Sequence, residues 1–260
     1  MHDSRPQSML RECRNRAAAS PFLSLILSLS SAISVGCSDS LPEAAAKGDA
    51  DKVSKLIANG QAVNVIDKDG RTALWQAAWN GKEDIVILLL QHNATVDIED
   101  KYIGGALHAA ASRGRTKIVS LLLDHGASIN RICHPRQDSA LWLATRDVHV
   151  DTVRLLIDRG ADIDQQNSAG TSPLGIASIV GSLELCKVLI SAGANVNIKD
   201  NEGNTPAHRA IMCKEPIVLQ YLIEKGADTR ITNNHGETIM DMARRMKNIE
   251  CIEIIRHHTK

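Results

Sequence analysis

Residues 67–99 read DKDGRTALWQAAWNGKEDIVILLLQHNATVDIE, and the fold can be inferred from this segment. It opens with an Asp-x-x-Gly turn signal, in which Gly70 is free to take a positive φ. Thr72 precedes a run of apolar residues at helical spacing, and its hydroxyl predicts a helix N-cap. Gly81 predicts the end of this helix, and Asn93 predicts the end of a second, more hydrophobic one. The segment therefore predicts a turn followed by two short helices.

The same design recurs with a period of 33 residues, interrupted by one inserted residue near Cys133. The position of Leu74 in the first helix is occupied in successive copies by Leu107, Leu141, Leu174, Ala207 and Met240. Neither helix has room to bury its apolar face within a single copy, so neighbouring copies must stack to complete the core. The period therefore predicts one elongated all-α domain built from stacked helix pairs.

A four-residue element at the start of each first helix indicates the family. It reads TALW at 72–75, GALH at 105–108, SALW at 139–142, SPLG at 172–175 and TPAH at 205–208. This element resembles the T-P-L-H motif of ankyrin repeats, and the resemblance extends over residues 41–260. It implies an all-α ankyrin-repeat solenoid of helix-turn-helix units with β-hairpin-like finger turns. It also implies that the chain binds another protein.

The repeat register predicts the domain boundaries. Residues 1–36 are expected to be a signal peptide or membrane anchor, residues 37–40 a tether, and residues 41–66 an N-terminal capping repeat. Five complete repeats follow, at 67–99, 100–132, 133–166, 167–199 and 200–232. Residues 233–260 are expected to form a C-terminal capping repeat. Lys52 and Lys55 replace apolar residues in the first unit, as a cap with one solvated face requires. Val148, Lys214 and Lys247 depart from the family pattern, because glycine usually ends the first helix there.

The start of the chain predicts export. Arg11, Arg14 and Arg16 precede an uncharged run over residues 17–38 with an apolar centre, the order typical of a secretory signal. The exit sequence VGCS at 35–38 resembles a bacterial lipobox, which implies cleavage and lipidation of Cys37. A lipid chain on Cys37 would hold the domain at a membrane surface without spanning it. We therefore expect a lipid-anchored protein of the bacterial cell envelope.

Other interpretations of this leader stay open. The uncharged run is long enough for an uncleaved membrane anchor. Cleavage without lipid would give a soluble exported protein, and a start at Met9 would give a signal of more ordinary length. An uncleaved anchor, a mis-assigned start or a leader without function leaves the alternative of a cytosolic or host-directed ankyrin interaction protein. Basic and acidic residues balance at 30 each, so no basic excess indicates a nucleic-acid partner. Membrane contact is expected only through the leader or Cys37.

No catalytic motif occurs in the sequence, which lacks G-x-S-x-G, H-E-x-x-H, G-x-x-x-x-G-K-[ST] and G-x-G-x-x-G. We therefore expect a protein that is not an enzyme and has no catalytic residues, no cofactor and no metal site. His108 and His208 share one repeat position with Trp75 and Trp142, which predicts a structural role between repeats for all four rings.

The cysteines do not predict a disulfide framework. Cys186 and Cys251 fall on the buried face of the second helix, whereas Cys133 and Cys213 are expected in more exposed settings. A bridge between Cys133 and Cys213 would have to cross two repeats, which exceeds the reach of a disulfide.

The ankyrin resemblance implies partner contacts at the finger tips and on the exposed side of the first helices. Transferred by position, these residues are Lys68, Asp69, Arg71, Trp79, Asn80, Lys101, Tyr102, Arg113, Arg136, Asp138, Arg146 and Asp147. Trp79 and Tyr102 stand out in a chain with 2% aromatic residues, since Trp, Tyr and Arg most often dominate binding energy. The alternative for Trp79 is packing against a neighbouring finger. Arg113, Arg136 and Arg146 together predict a basic strip for an acidic partner segment.

Overall fold

The computed structural model describes residues 40–258 of the 260-residue chain. This part contains fourteen helices: α1 Leu41–Lys47, α2 Ala50–Ala58, α3 Ala73–Asn80, α4 Glu83–Gln91, α5 Ala106–Ser112, α6 Thr116–Asp124, α7 Ala140–Arg146, α8 Val150–Asp158, α9 Pro173–Val180, α10 Leu183–Ser191, α11 Pro206–Met212, α12 Pro216–Glu224, α13 Ile239–Arg245 and α14 Ile249–His258. None of these helices is long and apolar enough to cross a bilayer. The expected leader and Cys37 lie outside the described residues.

The helices form two layers along the chain. The first helix of each pair contacts the first helix of the next, as α3 does with α5, and second helices contact second helices, as α4 does with α6. One apolar core runs between the layers. The first helices come close together because each contributes a fully buried alanine at the same position: Ala77, Ala110, Ala144, Ala177 and Ala210. The predicted stacking of neighbouring copies is therefore confirmed.

Each pair of helices is joined to the next by a finger turn. The Asp67 carboxylate accepts hydrogen bonds from the backbone N–H groups of Asp69 and Arg71 at 2.8 and 2.9 Å. Asp200 does the same for Glu202 and Asn204, both at 2.9 Å. Strand-like pairing in residues 40–258 is limited to two isolated antiparallel bridges, at Ile66–Thr72 and Ile132–Ser139. The predicted all-α solenoid with hairpin-like finger turns is confirmed.

The predicted helix ends are also confirmed. The Thr72 hydroxyl accepts the Trp75 backbone N–H at 3.1 Å and caps α3. Gly81 ends this helix with φ 72°, and Asn93 follows α4 with φ 57°. Val148 and Lys214 take the same left-handed conformation, with φ 61° and 59°, although neither is a glycine. The loop geometry is therefore kept where the sequence departs from the family pattern. The backbone of Val148 and of Lys214 is strained as a result, because a side chain with a Cβ atom is disfavoured at positive φ.

Val148→Gly is expected to stabilise the protein by about 1 kcal/mol, because a β-branched residue is strained at positive φ and glycine is not. Val148 is 46% exposed, so little packing is lost. Val148→Ala should give a smaller gain, since alanine keeps the Cβ atom. Urea denaturation of the three proteins measures the order, and a glycine variant less stable than the parent would contradict this account.

The structure corrects one prediction about the cysteines. Cys133 is 2% exposed, not in an exposed setting. It takes the place that Asp67 has in the first finger, and it packs so closely against Gly104 that a Cβ atom on this glycine would lie 2.6 Å from the Cys133 Cβ atom. Cys133 is therefore buried although it lies in a loop, because this finger packs inward against the preceding repeat. Cys186 and Cys251 are fully buried as predicted, and Cys213 is half-buried at the end of α11.

Candidate partner-binding surface

Five side chains form a continuous stack across the first two repeats, which we call the aromatic–arginine stack. The Arg71 guanidinium lies 6.0 Å from the ring centre of Tyr102 and 4.8 Å from that of Trp75. The rings of Trp75 and Trp79 are stacked, with centres 5.3 Å apart and planes inclined by 14°. Arg113 covers the other side of Trp79, with its guanidinium carbon 4.9 Å from the ring centre. Each contact has the geometry of a favourable aromatic or cation–π pair.

The stack joins two fingers to two first helices. Arg71 precedes the cap of α3, Trp75 and Trp79 lie one turn apart on α3, and Arg113 follows the end of α5. Tyr102 belongs to the second finger and is 58% exposed. The stack therefore runs from a finger to the end of a first helix, over the surface where the resemblance implies partner contacts. We call the exposed side of the first helices, together with the fingers, the concave surface.

The inner members of the stack have structural contacts. Trp75 is 2% exposed, and its indole N–H donates to the Gly104 carbonyl at 3.0 Å. Arg71 lies 3.5 Å from the fully buried Asp100 carboxylate and 3.3 Å from that of Asp69. The positive charge of Arg71 is therefore balanced within the protein. Trp79, in contrast, is half-buried. Packing against a neighbour, the alternative to a partner contact for Trp79, therefore accounts for only part of this ring.

Three cations around the stack have no such compensation. Arg113 contacts the Trp79 ring, and within residues 40–258 no carboxylate forms an ion pair with Arg113, Lys68 or Lys101. The Lys101 ammonium donates to the Lys68 carbonyl at 2.7 Å, which holds the two finger tips together. Uncompensated positive charge thus lies at both ends of the stack.

The third repeat differs. Arg136 and Arg146 both approach the Trp142 ring, with guanidinium carbons 5.9 and 5.8 Å from its centre. Each is paired with a carboxylate, Arg136 with Asp138 at 3.4 Å and Arg146 with Asp147 at 2.6 Å. Two of the three arginines of the predicted basic strip, Arg136 and Arg146, thus have their charges balanced within their own repeat. Binding of an acidic segment along this strip stays a prediction.

The remaining predicted contact residue, Asn80, is exposed at the end of α3. Its side-chain amide donates to the Gln76 carbonyl at 2.8 Å. The sequence identified Arg71, Trp79, Tyr102 and Arg113 individually but did not reveal that Trp75 joins them. The available signal was a spacing of four between the two tryptophans, which places both on one side of a helix.

The shared ring position is structural, as predicted. The Trp142 indole N–H donates to the Thr171 carbonyl at 3.1 Å, as that of Trp75 does to Gly104. The Nε2 atoms of His108 and His208 bond to the carbonyls of Arg131 and Glu237 at 2.8 and 3.1 Å. The rings of Trp75, Trp142 and His208 thus tie their repeats to the next unit, whereas the ring of His108 bonds to the end of its own repeat.

Repeat four has Gly175 at this position, so no ring is present there. A cavity of about 10 Å³ lies beside it, lined by Gly175, Pro206, Arg209 and neighbouring residues. This volume is enough for about one water molecule. The cavity therefore has no space for a larger ligand.

Burial lowers the pKa of His108 and of His208 below the ordinary value. The Nδ1 atom of His208 lies 2.9 Å from the Thr205 hydroxyl, while Nδ1 of His108 has no hydrogen-bond partner among the described residues. In the neutral form, Nε2–H of His108 donates to the Arg131 carbonyl and that of His208 to the Glu237 carbonyl. Both rings are therefore held neutral in the folded protein.

The free energy of unfolding is expected to fall as the pH drops below about 6.5, because the unfolded chain then binds protons that the folded chain excludes. The loss reaches at most about 1.4 kcal/mol per histidine one pH unit below that value. Urea denaturation between about pH 8 and pH 5.5 measures the slope. Gln at both His108 and His208 should flatten it, whereas Gln at the exposed His92 should not. If the slope of unfolding free energy against pH were unchanged in the double variant, the two histidines would not be buried in the neutral form.

The described thiols are poor nucleophiles. Burial raises the pKa of Cys133 and of Cys251 to about 11, and that of Cys186 to about 12. All three are protonated at neutral pH, whereas the thiolate is the reactive form. Within residues 40–258, no group of three or more His, Cys, Asp or Glu side chains is arranged to hold a metal ion.

Comparisons with known proteins agree with this architecture. A family model described as ankyrin repeats (3 copies) matches residues 41–133, 130–200 and 174–260. A search of curated protein sequences gives no match. Among solved structures, the ankyrin repeat domain of Bcl-3, a member of the IkappaB protein family, is similar, with a TM-score of 0.75 and 27% identity over 85% of this chain and 100% of that one.

The human ASB11 ankyrin repeat domain has the same fold, with a TM-score of 0.75 over 85% of this chain and 98% of that one, at 24% identity. The family model and the repeated helix pairs cover residues 41–260 almost completely. The chain therefore belongs to the ankyrin-repeat family.

Proposed function

We propose that the chain is a non-catalytic scaffold that binds a partner protein on its concave surface, around the aromatic–arginine stack. Ankyrin repeats are generally protein–protein interaction scaffolds. The observation that carries the proposal is the clustering of Trp75, Trp79 and Tyr102 in one stack, in a chain with only three Trp, two Tyr and one Phe. Aromatic and arginine side chains at the centre of an interface supply most of its binding energy.

The position of Tyr102 supports a binding role. Packing accounts for Trp75, which is buried and hydrogen-bonded, but it does not account for a tyrosine that is 58% exposed at a finger tip. A large amphipathic ring held at one edge by a guanidinium loses little conformational freedom on binding. Tyr102 is therefore the side chain best placed to contact a partner without being needed for the fold.

A photoreactive amino acid in place of Tyr102 should crosslink to a partner protein in cells of the native host. The matched control is the same amino acid at Lys117, whose side chain is 81% exposed on α6, the second helix of the same repeat. Mass spectrometry identifies the products. Crosslinks from position 117 but not from position 102 would overturn the concave surface as the binding site.

Once that partner is known, Trp79→Ala combined with Tyr102→Ala is expected to weaken its binding by several kcal/mol, about 2 or more for each hot-spot residue. The thermal unfolding midpoint must be measured in parallel. Unchanged affinity in a folded double variant would exclude both rings from the interface. A large fall in the midpoint would instead assign Trp79 to packing.

We also propose that the domain is exported to a bacterial cell envelope and held there by a lipid on Cys37. The support is the order of residues 11–38: basic residues, an apolar run and a Gly-Cys-Ser exit. Mass spectrometry of the mature N-terminus from the host membrane fraction tests this proposal. A lipid-modified Cys37 is expected, and Cys37→Ser should release the protein from the membranes. An intact N-terminus would favour an uncleaved anchor or a cytoplasmic protein.

A further inference from the structure

We infer that the aromatic–arginine stack, together with Lys68 and Lys101, is a docking site for an acidic segment of a partner protein. The segment would carry carboxylates on both sides of an aromatic or branched apolar side chain. This inference rests on the proposed function, because it assigns the chemical class of the partner to the same concave surface.

The charge distribution gives the first argument. Lys68, Lys101 and Arg113 are the cations around the stack, and no carboxylate in residues 40–258 forms an ion pair with any of them. Other arginines on this surface, such as Arg71 and Arg146, already have carboxylate partners. The uncompensated charge is therefore available to a ligand, and complementary negative charge would steer its approach.

The order of groups along the stack gives the second argument. Lys68 and Lys101 lie at the finger end, where the Lys101 backbone N–H also donates to the Asp69 carbonyl at 3.1 Å. Arg113 lies at the other end, over the outer face of Trp79. Between the two ends are the exposed ring of Tyr102 and the half-buried ring of Trp79. A ligand that lies along the stack would therefore meet positive charge, aromatic surface and positive charge in that order.

An extended peptide fits this order. On the order of six residues of extended chain would follow the line from the fingers to the end of α5. Carboxylates at its two ends would reach the lysines and Arg113, and an apolar side chain between them would cover Tyr102. A guanidinium already held on a ring face, as that of Arg113 is, is preorganised to bind a carboxylate, since less side-chain entropy is lost.

Single-stranded nucleic acid also combines negative charge with flat rings, but the surface fits it less well. Such ligands are bound in grooves of continuous positive charge. Here the carboxylates of Asp69 and Asp147 lie on the same surface, each beside an arginine. The sequence as a whole has no net charge. A short acidic peptide needs only the local cations, whereas a nucleic acid backbone would meet these carboxylates.

Fluorescence anisotropy with the full-length chain tests the inference. The probe is a fluorescein-labelled peptide of sequence Gly-Glu-Asp-Leu-Phe-Leu-Asp-Glu-Gly, and its twin carries Gln and Asn in place of Glu and Asp. A labelled oligothymidylate of similar length is the nucleic-acid probe. The acidic peptide is expected to bind at least about tenfold more tightly than its neutral twin at low salt, and high salt should remove most of that difference.

Matched variants locate the site. Arg113→Gln and the pair Lys68→Gln with Lys101→Gln should each reduce the advantage of the acidic probe by about threefold or more. Lys117→Gln removes an exposed charge from α6 of the same repeat and should leave binding unchanged. Tyr102→Ala should weaken binding of both peptides, because it removes ring contact and no charge. Thermal unfolding of every variant shows that the fold is kept.

The outcomes separate this inference from the proposed function. Equal binding of the acidic and neutral peptides, or absence of peptide binding, overturns the acidic-segment inference, whereas crosslinking from position 102 decides independently whether the surface binds a protein. Tighter binding of oligothymidylate than of the acidic peptide also overturns the inference, in favour of nucleic acid. An acidic-probe advantage that persists in the Arg113 and lysine variants would show that the charge recognition lies elsewhere.

Discussion

Trp75→Ala is expected to lower the free energy of unfolding by about 3–5 kcal/mol, the range for loss of a large buried aromatic side chain. Trp75 is 2% exposed, so its removal leaves a cavity between the first two repeats. The substitution also removes the hydrogen bond to the Gly104 carbonyl and the ring on which Trp79 and Arg71 pack. Urea denaturation of the full-length chain measures the loss.

Two further substitutions separate the causes of that loss. Trp75→His introduces the residue that repeats two and five carry at this position, where His108 and His208 bond to the backbone carbonyls of Arg131 and Glu237. It should therefore cost less than Trp75→Ala. Trp79→Ala removes a half-buried ring from the same stack and should cost about 1–2 kcal/mol. If Trp79→Ala destabilised the protein as much as Trp75→Ala, Trp79 would be as important for the fold as Trp75, and it would not be a ring left available for a partner.

Asp200→Ala is expected to destabilise the fifth finger by a similar amount, about 3–5 kcal/mol, because it leaves the buried Arg209 guanidinium with only the Glu202 carboxylate, at 3.4 Å, as an ion-pair partner. The Asp200 side chain is 4% exposed and that of Arg209 is 9% exposed, with Nη2 of the arginine 2.6 Å from the carboxylate. The other carboxylate oxygen accepts the backbone N–H groups of Glu202 and Asn204. The substitution therefore removes an ion pair and two turn hydrogen bonds together, and urea denaturation measures the combined loss.

Repeat four offers the control for this prediction, since it carries Asn167 and Ile176 at the positions of Asp200 and Arg209. Asn167 accepts the same backbone hydrogen bonds from its own turn, at 3.0 and 3.1 Å. Asp200→Asn should therefore lose only the ion pair. Adding Arg209→Ile should recover part of the stability, because an apolar residue replaces a buried charge that has lost its closest carboxylate partner. A double variant no more stable than Asp200→Asn would mean that Arg209 contributes through packing alone.

The repeat and its local details could be predicted from the amino-acid sequence. Turn, cap, apolar spacing and left-handed stop lie within 33 residues of each other in every copy, so each is encoded by neighbours in the chain. Thr72, Gly81 and Asn93 were assigned on this basis and are confirmed. Recurrence of Trp or His at one position likewise predicts a structural role for these rings, and three of the four bond to the next unit.

The way in which side chains from different repeats combine became visible only in the folded protein. The contact between Arg71 and Tyr102 joins adjacent fingers, and the contact between Trp79 and Arg113 joins adjacent helices. Neither follows from the period, since the positions of Arg71, Trp79 and Tyr102 carry other residues in the other complete repeats. The same holds for Cys133, which lies in a finger and is nevertheless buried against the preceding repeat. Local sequence specifies each unit, but the close stacking of neighbouring units determines which charges are balanced and which rings remain exposed.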